Sequence, residues 1–140
     1  MPKSYSAPDA AQRYVLDQVR AGDRDRFLGA LFAPEPARRD LLLLLAFDHE
    51  LARTQTVARE PMLKRIRLEW WREAVREAAG PGTPRAQPIV ESLSETLRRH
   101  ALAPGLFTAL VDAREEERTM RAVLADAKLT LPDDDRAARR

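Results

Sequence analysis

The sequence contains no cysteine, five glycines, and so few phenylalanines, tryptophans and tyrosines that they make up 6% of it. The lack of cysteine excludes disulfides, thiolate metal sites and thiol nucleophiles, and it fits a reducing compartment. Long apolar runs are missing too. The longest extends from Leu41 to Phe47, far short of the roughly 20 residues needed to span a bilayer. Residues 1–20 carry Asp9 and Asp17 but no apolar core segment, so they do not read as a secretory signal. The expectation is a soluble, cytoplasmic protein, at most peripheral to a membrane.

An excess of one charge is also lacking. The 24 basic and 22 acidic side chains leave a net charge of +2. The isoelectric point near 9.4 arises because every base except Lys3, Lys64 and Lys128 is arginine, which hardly titrates. Acids and bases alternate, as in Asp23-Arg24-Asp25-Arg26 and Arg114-Glu115-Glu116-Glu117-Arg118. Such alternation describes an ion-paired, solvated helix surface and argues against a phosphate-tracking stripe for nucleic acid.

What is present is helical patterning within a length of 140 residues, enough for one domain with its own core. No stretch alternates with period two over enough residues to predict a strand. Ser6-Ala7-Pro8-Asp9 reads as a capping box opening a helix to about Arg20, stopped at Gly22. A short helix carrying Phe27, Leu28, Leu31 and Phe32 comes next and ends at Pro34 and Pro36. Longer helices are predicted from Ala37 to Ala58 and from Met62 to Ala79, separated by Pro61. Pro88 opens a fifth helix through Arg99, and a sixth begins near Leu106 and runs past Arg118. Residues 6–127 thus form one all-α domain. The charged stretch 128–140, with few apolar anchors, is expected to be a disordered tail.

The two long central helices are more apolar than surface helices. At about 100° per residue, Met62, Leu63, Ile66, Leu68, Trp70, Trp71, Ala74, Val75 and Ala78 share one broad arc. Arg67 falls in its middle. The preceding helix is apolar nearly all round, with Asp48 and Gln55 seven residues apart on one face. Both helices read as interior elements of a larger bundle.

The candidate chemistry is sparse. Arg67 is expected to pair internally or to snorkel, with a phosphate or a partner carboxylate as the functional alternative. Asp48 and His49 are neighbours and diverge by about 100°, and neither His49 nor His100 has metal-ligand spacing around it. Trp70 and Trp71 read as core anchors. Glu115, Glu116 and Glu117 are consecutive and read as a solvated face. No Ser, Thr or Lys sits in a nucleophile or phosphate-loop motif.

One ordered set of segments is familiar. It comprises Arg26-Phe27-Leu28, Leu31-Phe32-Ala33-Pro34 and Leu44-Leu45-Ala46-Phe47-Asp48-His49-Glu50-Leu51-Ala52-Arg53. Glu60-Pro61-Met62-Leu63 and Ile66-Arg67-Leu68-Glu69-Trp70-Trp71-Arg72-Glu73-Ala74 continue it. Gln87-Pro88-Ile89-Val90 and Leu110-Val111-Asp112-Ala113-Arg114-Glu115 complete it. Over about residues 10–118 the sequence resembles the squalene/phytoene synthase family. The Phe47–Arg53 pattern is similar to the branch of alpha-proteobacterial proteins and mitochondrial complex I assembly factors.

The resemblance implies the N-terminal half of the all-helical isoprenoid synthase fold. In that family two aspartate-rich motifs hold magnesium ions that bridge prenyl diphosphates, because ionising an allylic diphosphate needs several hard cations. Here the positions of the first motif hold Ala52, Arg53 and Thr56, with Asp48 one turn earlier as a single remaining carboxylate. The second motif belongs to the half that is absent. The leading expectation is therefore a non-catalytic binding or assembly scaffold needing no cofactor. It would meet a protein partner, or a second copy of itself, through the Leu41–Leu51 and Met62–Val75 faces. The alternative is a head-to-head synthase acting on farnesyl or geranylgeranyl diphosphate with magnesium, truncated or completed by another chain. In that case Asp48, Ala52, Gln55 and Arg67 line its cavity, with a prenyl diphosphate or other lipid as ligand.

Overall fold

The computed structural model describes residues 9–35 and 37–126, with the backbone alone at Gln55. The expected tail at 128–140 lies outside the described residues, as does Ser6. Six helices form among the described residues, and no strand: α1 (Ala10–Gly22), α2 (Arg24–Ala30), α3 (Ala37–Val57), α4 (Pro61–Ala79), α5 (Pro88–His100) and α6 (Gly105–Asp126). The fold is all-α.

Local chemistry sets these limits. Asp9, expected as the residue three positions after a Ser6 cap in the capping box, is itself the N-cap of α1. Its carboxylate accepts the Gln12 backbone N–H at 2.8 Å, because a short acceptor one residue ahead of Ala10 satisfies an otherwise orphaned donor. The helix therefore starts later than a Ser6 cap would place it. Asp23 serves two helices. Its backbone N–H donates to the Val19 carbonyl at 2.8 Å to close α1, and its side chain accepts the Arg26 N–H at 3.0 Å to open α2. Pro61 and Pro88 occupy the first positions of α4 and α5, where a missing N–H costs nothing.

Helices α3 and α5 hold the middle of the bundle. α1 packs on α3 and α5, α4 packs on α5 and α6, and α6 also rests on α3. The core centres on Phe47, which is fully buried. Its ring meets Trp71 of α4 edge-on with centroids 5.7 Å apart, and Phe107 of α6 in the same manner at 5.7 Å. Both contacts match the preference of aromatic quadrupoles for T-shaped geometry. Leu43, Leu51, Leu68, Val75, Leu93 and Val111 surround them with almost no exposure.

The broad arc on α4 is only partly used. Leu68, Trp71, Ala74, Val75 and Ala78 are buried, while Met62, Leu63 and Ile66 stay exposed. Only the stretch from Leu68 onward meets the core, so the first two turns read as interior from sequence but are surface. Leu41 and Leu44 on α3 are likewise partly exposed. Trp71 is the core anchor, whereas Trp70 is half-buried beneath the Arg85 guanidinium, 4.8 Å from its ring centroid.

A polar clasp joins the start of α3 to the end of α5. Asp40 accepts from Thr96 Oγ1 at 3.0 Å and from Arg99 at 2.7 Å, and its other oxygen lies 2.5 Å from His100 Nε2. Burial pushes the Asp40 carboxyl upward, but the hydrogen bonds from His100 and Thr96 and the Arg99 charge outweigh it and hold its pKa below the usual range.

Truncating Phe47 to Ala should cost about 3–5 kcal/mol in urea unfolding, whereas Phe32→Ala, at a site 92% exposed, should stay within about 0.5 kcal/mol. Because the folded Asp40 carboxyl titrates below its unfolded value, its stabilisation is complete above about pH 4 and fades as pH falls through the folded pKa. The gap in melting temperature between the parent and Asp40→Asn should accordingly be constant at neutral pH and close in acid. A gap that widens on acidification would contradict the assignment.

Candidate functional site

With Phe47 turned into the core, the next residue is rotated by about 100° and reaches the rim between α2, α3 and α6. There Asp48 Oδ1 accepts from Arg114 Nη2 at 2.8 Å, and Asp48 Oδ2 lies 3.5 Å from Arg26 Nη1. Arg114 also donates to Glu117 at 3.1 Å. Burial works against the charge of Arg114, but Asp48 and Glu117 overcome it and raise its pKa. The carboxylate one turn ahead of Ala52 is therefore held between two guanidinium groups.

One and two turns beyond Asp48, Ala52 and Thr56 line a groove between α3, α4 and α6 of about 590 Å³. Pro61 and Lys64 of α4 and Arg114, Glu117, Arg118, Arg121 and Ala122 of α6 complete its wall. Thr56 Oγ1 donates back to the Arg53 carbonyl at 3.2 Å. Arg53 itself turns elsewhere, to Glu50 at 2.7 Å. These two line a smaller cleft of about 180 Å³ between α3 and α4 with Thr54, Val57, Arg67, Trp70 and Trp71. Arg67 is exposed and makes no ion pair among the described residues; of the two structural expectations, internal pairing is not seen, and its position on the cleft wall beside Trp70 and Trp71 agrees with the other, a snorkelling side chain.

The candidate cavity residues are thus separated. Ala52 lies in the three-helix groove, Arg67 in the smaller cleft, and Asp48 touches the groove only through Arg114. Of Gln55 only the helical backbone is described. The donor set does not suit magnesium. Ala52 brings no oxygen, Thr56 brings one neutral hydroxyl, Arg53 is a cation, and Asp48 is already paired.

Further ion pairs fix α6 against α4. Arg72, 14% exposed, donates to Asp112 at 2.8 Å, to Glu69 at 3.1 Å and to Glu115. Burial opposes its charge, and the three carboxylates more than offset this, raising its pKa. Glu115 is therefore a partly buried bridge to α4, Glu117 is partly buried and paired with Arg114 and Arg121 of its own helix, and Glu116 keeps the solvated role expected of all three. A lone Asp in an apolar arc demands a buried base, so sequence could signal that Asp48 needed a partner but not that Arg114 supplied it. His49 packs over Gly22, where a Cβ would clash with its ring; its role here is packing.

Residues 19–131 match the family model of the squalene/phytoene synthases. The chain belongs to the squalene/phytoene synthase family. Among its relatives, it is 29% identical over 104 residues to "NADH dehydrogenase (ubiquinone) complex I, assembly factor 6" of Bos taurus, spanning 74% of this chain and 31% of that protein. The Homo sapiens protein of the same name is 28% identical over 113 residues, 79% of this chain and 34% of its own. The Drosophila melanogaster homolog is 27% identical over 112 residues, 76% and 34% respectively. The chain matches about a third of the length of these relatives. No solved structure matches it. In this squalene/phytoene synthase family member the groove meets α3 at two neutral residues, Ala52 and Thr56, and α6 brings Arg114, Arg118 and Arg121 to the same groove.

The Asp48–Arg114 pair should show coupling of about 1 kcal/mol in a double-mutant cycle of Asp48→Ala and Arg114→Ala by chemical denaturation. Additive effects would mean that the pair does not tie α3 to α6.

Proposed function

We propose that the chain is a non-catalytic family member that acts as a binding or assembly scaffold for a protein partner. The observation that carries this reading is the state of the first aspartate motif. Its positions present a methyl group, a back-bonded hydroxyl and a guanidinium paired to Glu50, and the neighbouring Asp48 is bound by Arg114 and Arg26. Such a set supports the fold without supplying the cation cluster that diphosphate ionisation requires.

The named relatives give the role a direction. Their shared description as assembly factors of complex I supports a part in building an NADH dehydrogenase for this chain too. No described helix is long and apolar enough to cross a membrane. We place the protein in the cytoplasm, where it would meet its partner at the membrane periphery. The exposed Met62, Leu63 and Ile66 of α4 and Leu41 and Leu44 of α3 offer apolar surface for that partner or for a second copy.

The purified chain should release no pyrophosphate from farnesyl or geranylgeranyl diphosphate in the presence of magnesium. Deletion of its gene should lower the amount of assembled, active NADH dehydrogenase, and re-expression should restore it. Turnover by the chain alone would overturn the non-catalytic reading. Unchanged dehydrogenase levels after deletion would overturn the assembly role.

A further inference from the structure

Over its first two turns α4 runs clear of the core. Met62, Leu63 and Ile66 are 61%, 46% and 57% exposed there. Leu63, Ile66 and half-buried Trp70 follow one another at spacings of three and four residues, which lines them up as a seam along the helix. An apolar seam of this spacing is the surface that a second helix covers, and the charges beside it say which helix.

Most arginines near the core are bound to carboxylates, but two opposite charges beside this seam are not. Glu60 stands at the N-cap of α4, and its side chain makes no capping hydrogen bond. Neither Glu60 nor the exposed Arg67 makes an ion pair among the described residues. Seven residues apart, they lie on the same flank of the seam, yet beyond the three- or four-residue spacing at which helical side chains pair. The other cations of these turns lie off the seam. Arg65 is 4.0 Å from Glu115 of α6, and Lys64 lines the three-helix groove. The seam thus carries one unmatched charge of each sign, with its apolar residues between them.

We propose that the chain forms a two-fold symmetric dimer in which α4 lies antiparallel on α4 of a second copy. With the axis between Lys64 and Arg65, Leu63 meets Ile66 of the other copy, and Ile66 meets its Leu63. The same register sets Glu60 against Arg67 and Arg67 against Glu60. Two charges left over in the monomer become two equivalent ion pairs, as a self-complementary interface requires. Arg59, also without an ion pair among the described residues, comes to lie over the turn that carries Glu69 and Glu73 of the other copy. This complementarity selects a second copy over an anionic membrane or a purely acidic partner, either of which would repel Glu60. Contact limited to a few helical turns places the dimer among small, weak interfaces. Dimerisation goes beyond the scaffold role and is separable from it, since the assembly role is read from dehydrogenase levels and the dimer from the purified chain.

Sedimentation equilibrium of the 140-residue chain should show reversible monomer–dimer exchange with a dissociation constant on the order of 10 µM. Ile66→Asp, which would bury a carboxylate twice in the dimer, should weaken it by about 100-fold. Glu60→Arg and Arg67→Glu each oppose like charges twice and should each weaken it by about tenfold. The double variant Glu60→Arg/Arg67→Glu should return to within about threefold of the parent. All these positions are exposed, so at concentrations where the parent is monomeric each variant should melt with it. A chain that stays monomeric throughout, a dimer that none of these substitutions weakens, or a double variant no tighter than the single ones overturns the pairing. Binding of a monomeric chain to phosphatidylglycerol vesicles, lost in Ile66→Asp, also overturns it and gives this face to a membrane.

Discussion

Phe47 fixes the rotation of α3, and the placement of nearly every polar group on that helix depends on it. Its ring is clamped edge-on between Trp71 and Phe107, so α3 cannot turn about its axis without giving up both contacts. A helix held at one position is held at all of them. The same clamp delivers Asp48 to Arg114, sets Ala52 and Thr56 along the three-helix groove, and sends Arg53 and Glu50 to the cleft beside Trp70. The surface chemistry is the outer face of one aromatic cluster.

Around that cluster, charge fixes what apolar packing alone would leave loose. A core of leucines and valines is indifferent to small sliding of one helix along another, whereas an arginine shared by several carboxylates is not. Arg72 ties α4 to α6, Arg114 ties α6 to α3, and Asp40 ties α3 to α5. All three sit at the margin of the core, where screening by water is reduced but full desolvation is avoided. This arrangement explains why arginine dominates the basic residues. A guanidinium can serve two or three carboxylates in fixed geometry, which an ammonium does less well.

The helices are legible in the sequence because their punctuation is chemical and local. Pro61, Pro88 and the glycine and proline around residue 105 mark boundaries by what their backbones forbid, and helix limits fall there. The cap of α1 is less legible, because Ser6 and Asp9 are both good acceptors and composition alone does not choose between them. Met62, Leu63 and Ile66 share the periodicity of an interior helix yet lie at the surface, since periodicity reports a face but not how far its partner extends. The site is harder still. That Ala52, Arg53 and Thr56 offer no carboxylate is written in the sequence, but Arg114 lies 66 residues from Asp48. Within the run from Arg114 to Arg118, sequence reads only a charged face, and nothing in it separates the paired glutamates from the solvated one.

The contact between Gly22 and His49 ties two distant positions into one decision. A methyl group at position 22 is excluded by the imidazole in its present place, although alanine would otherwise suit a helical residue better than glycine. The order of change therefore matters. A lineage that first shortens residue 49 opens position 22 to larger side chains, while one that first enlarges residue 22 must displace the ring from between α1 and α3. The side chains that position 22 can accept thus depend on where one imidazole, midway along α3, comes to rest.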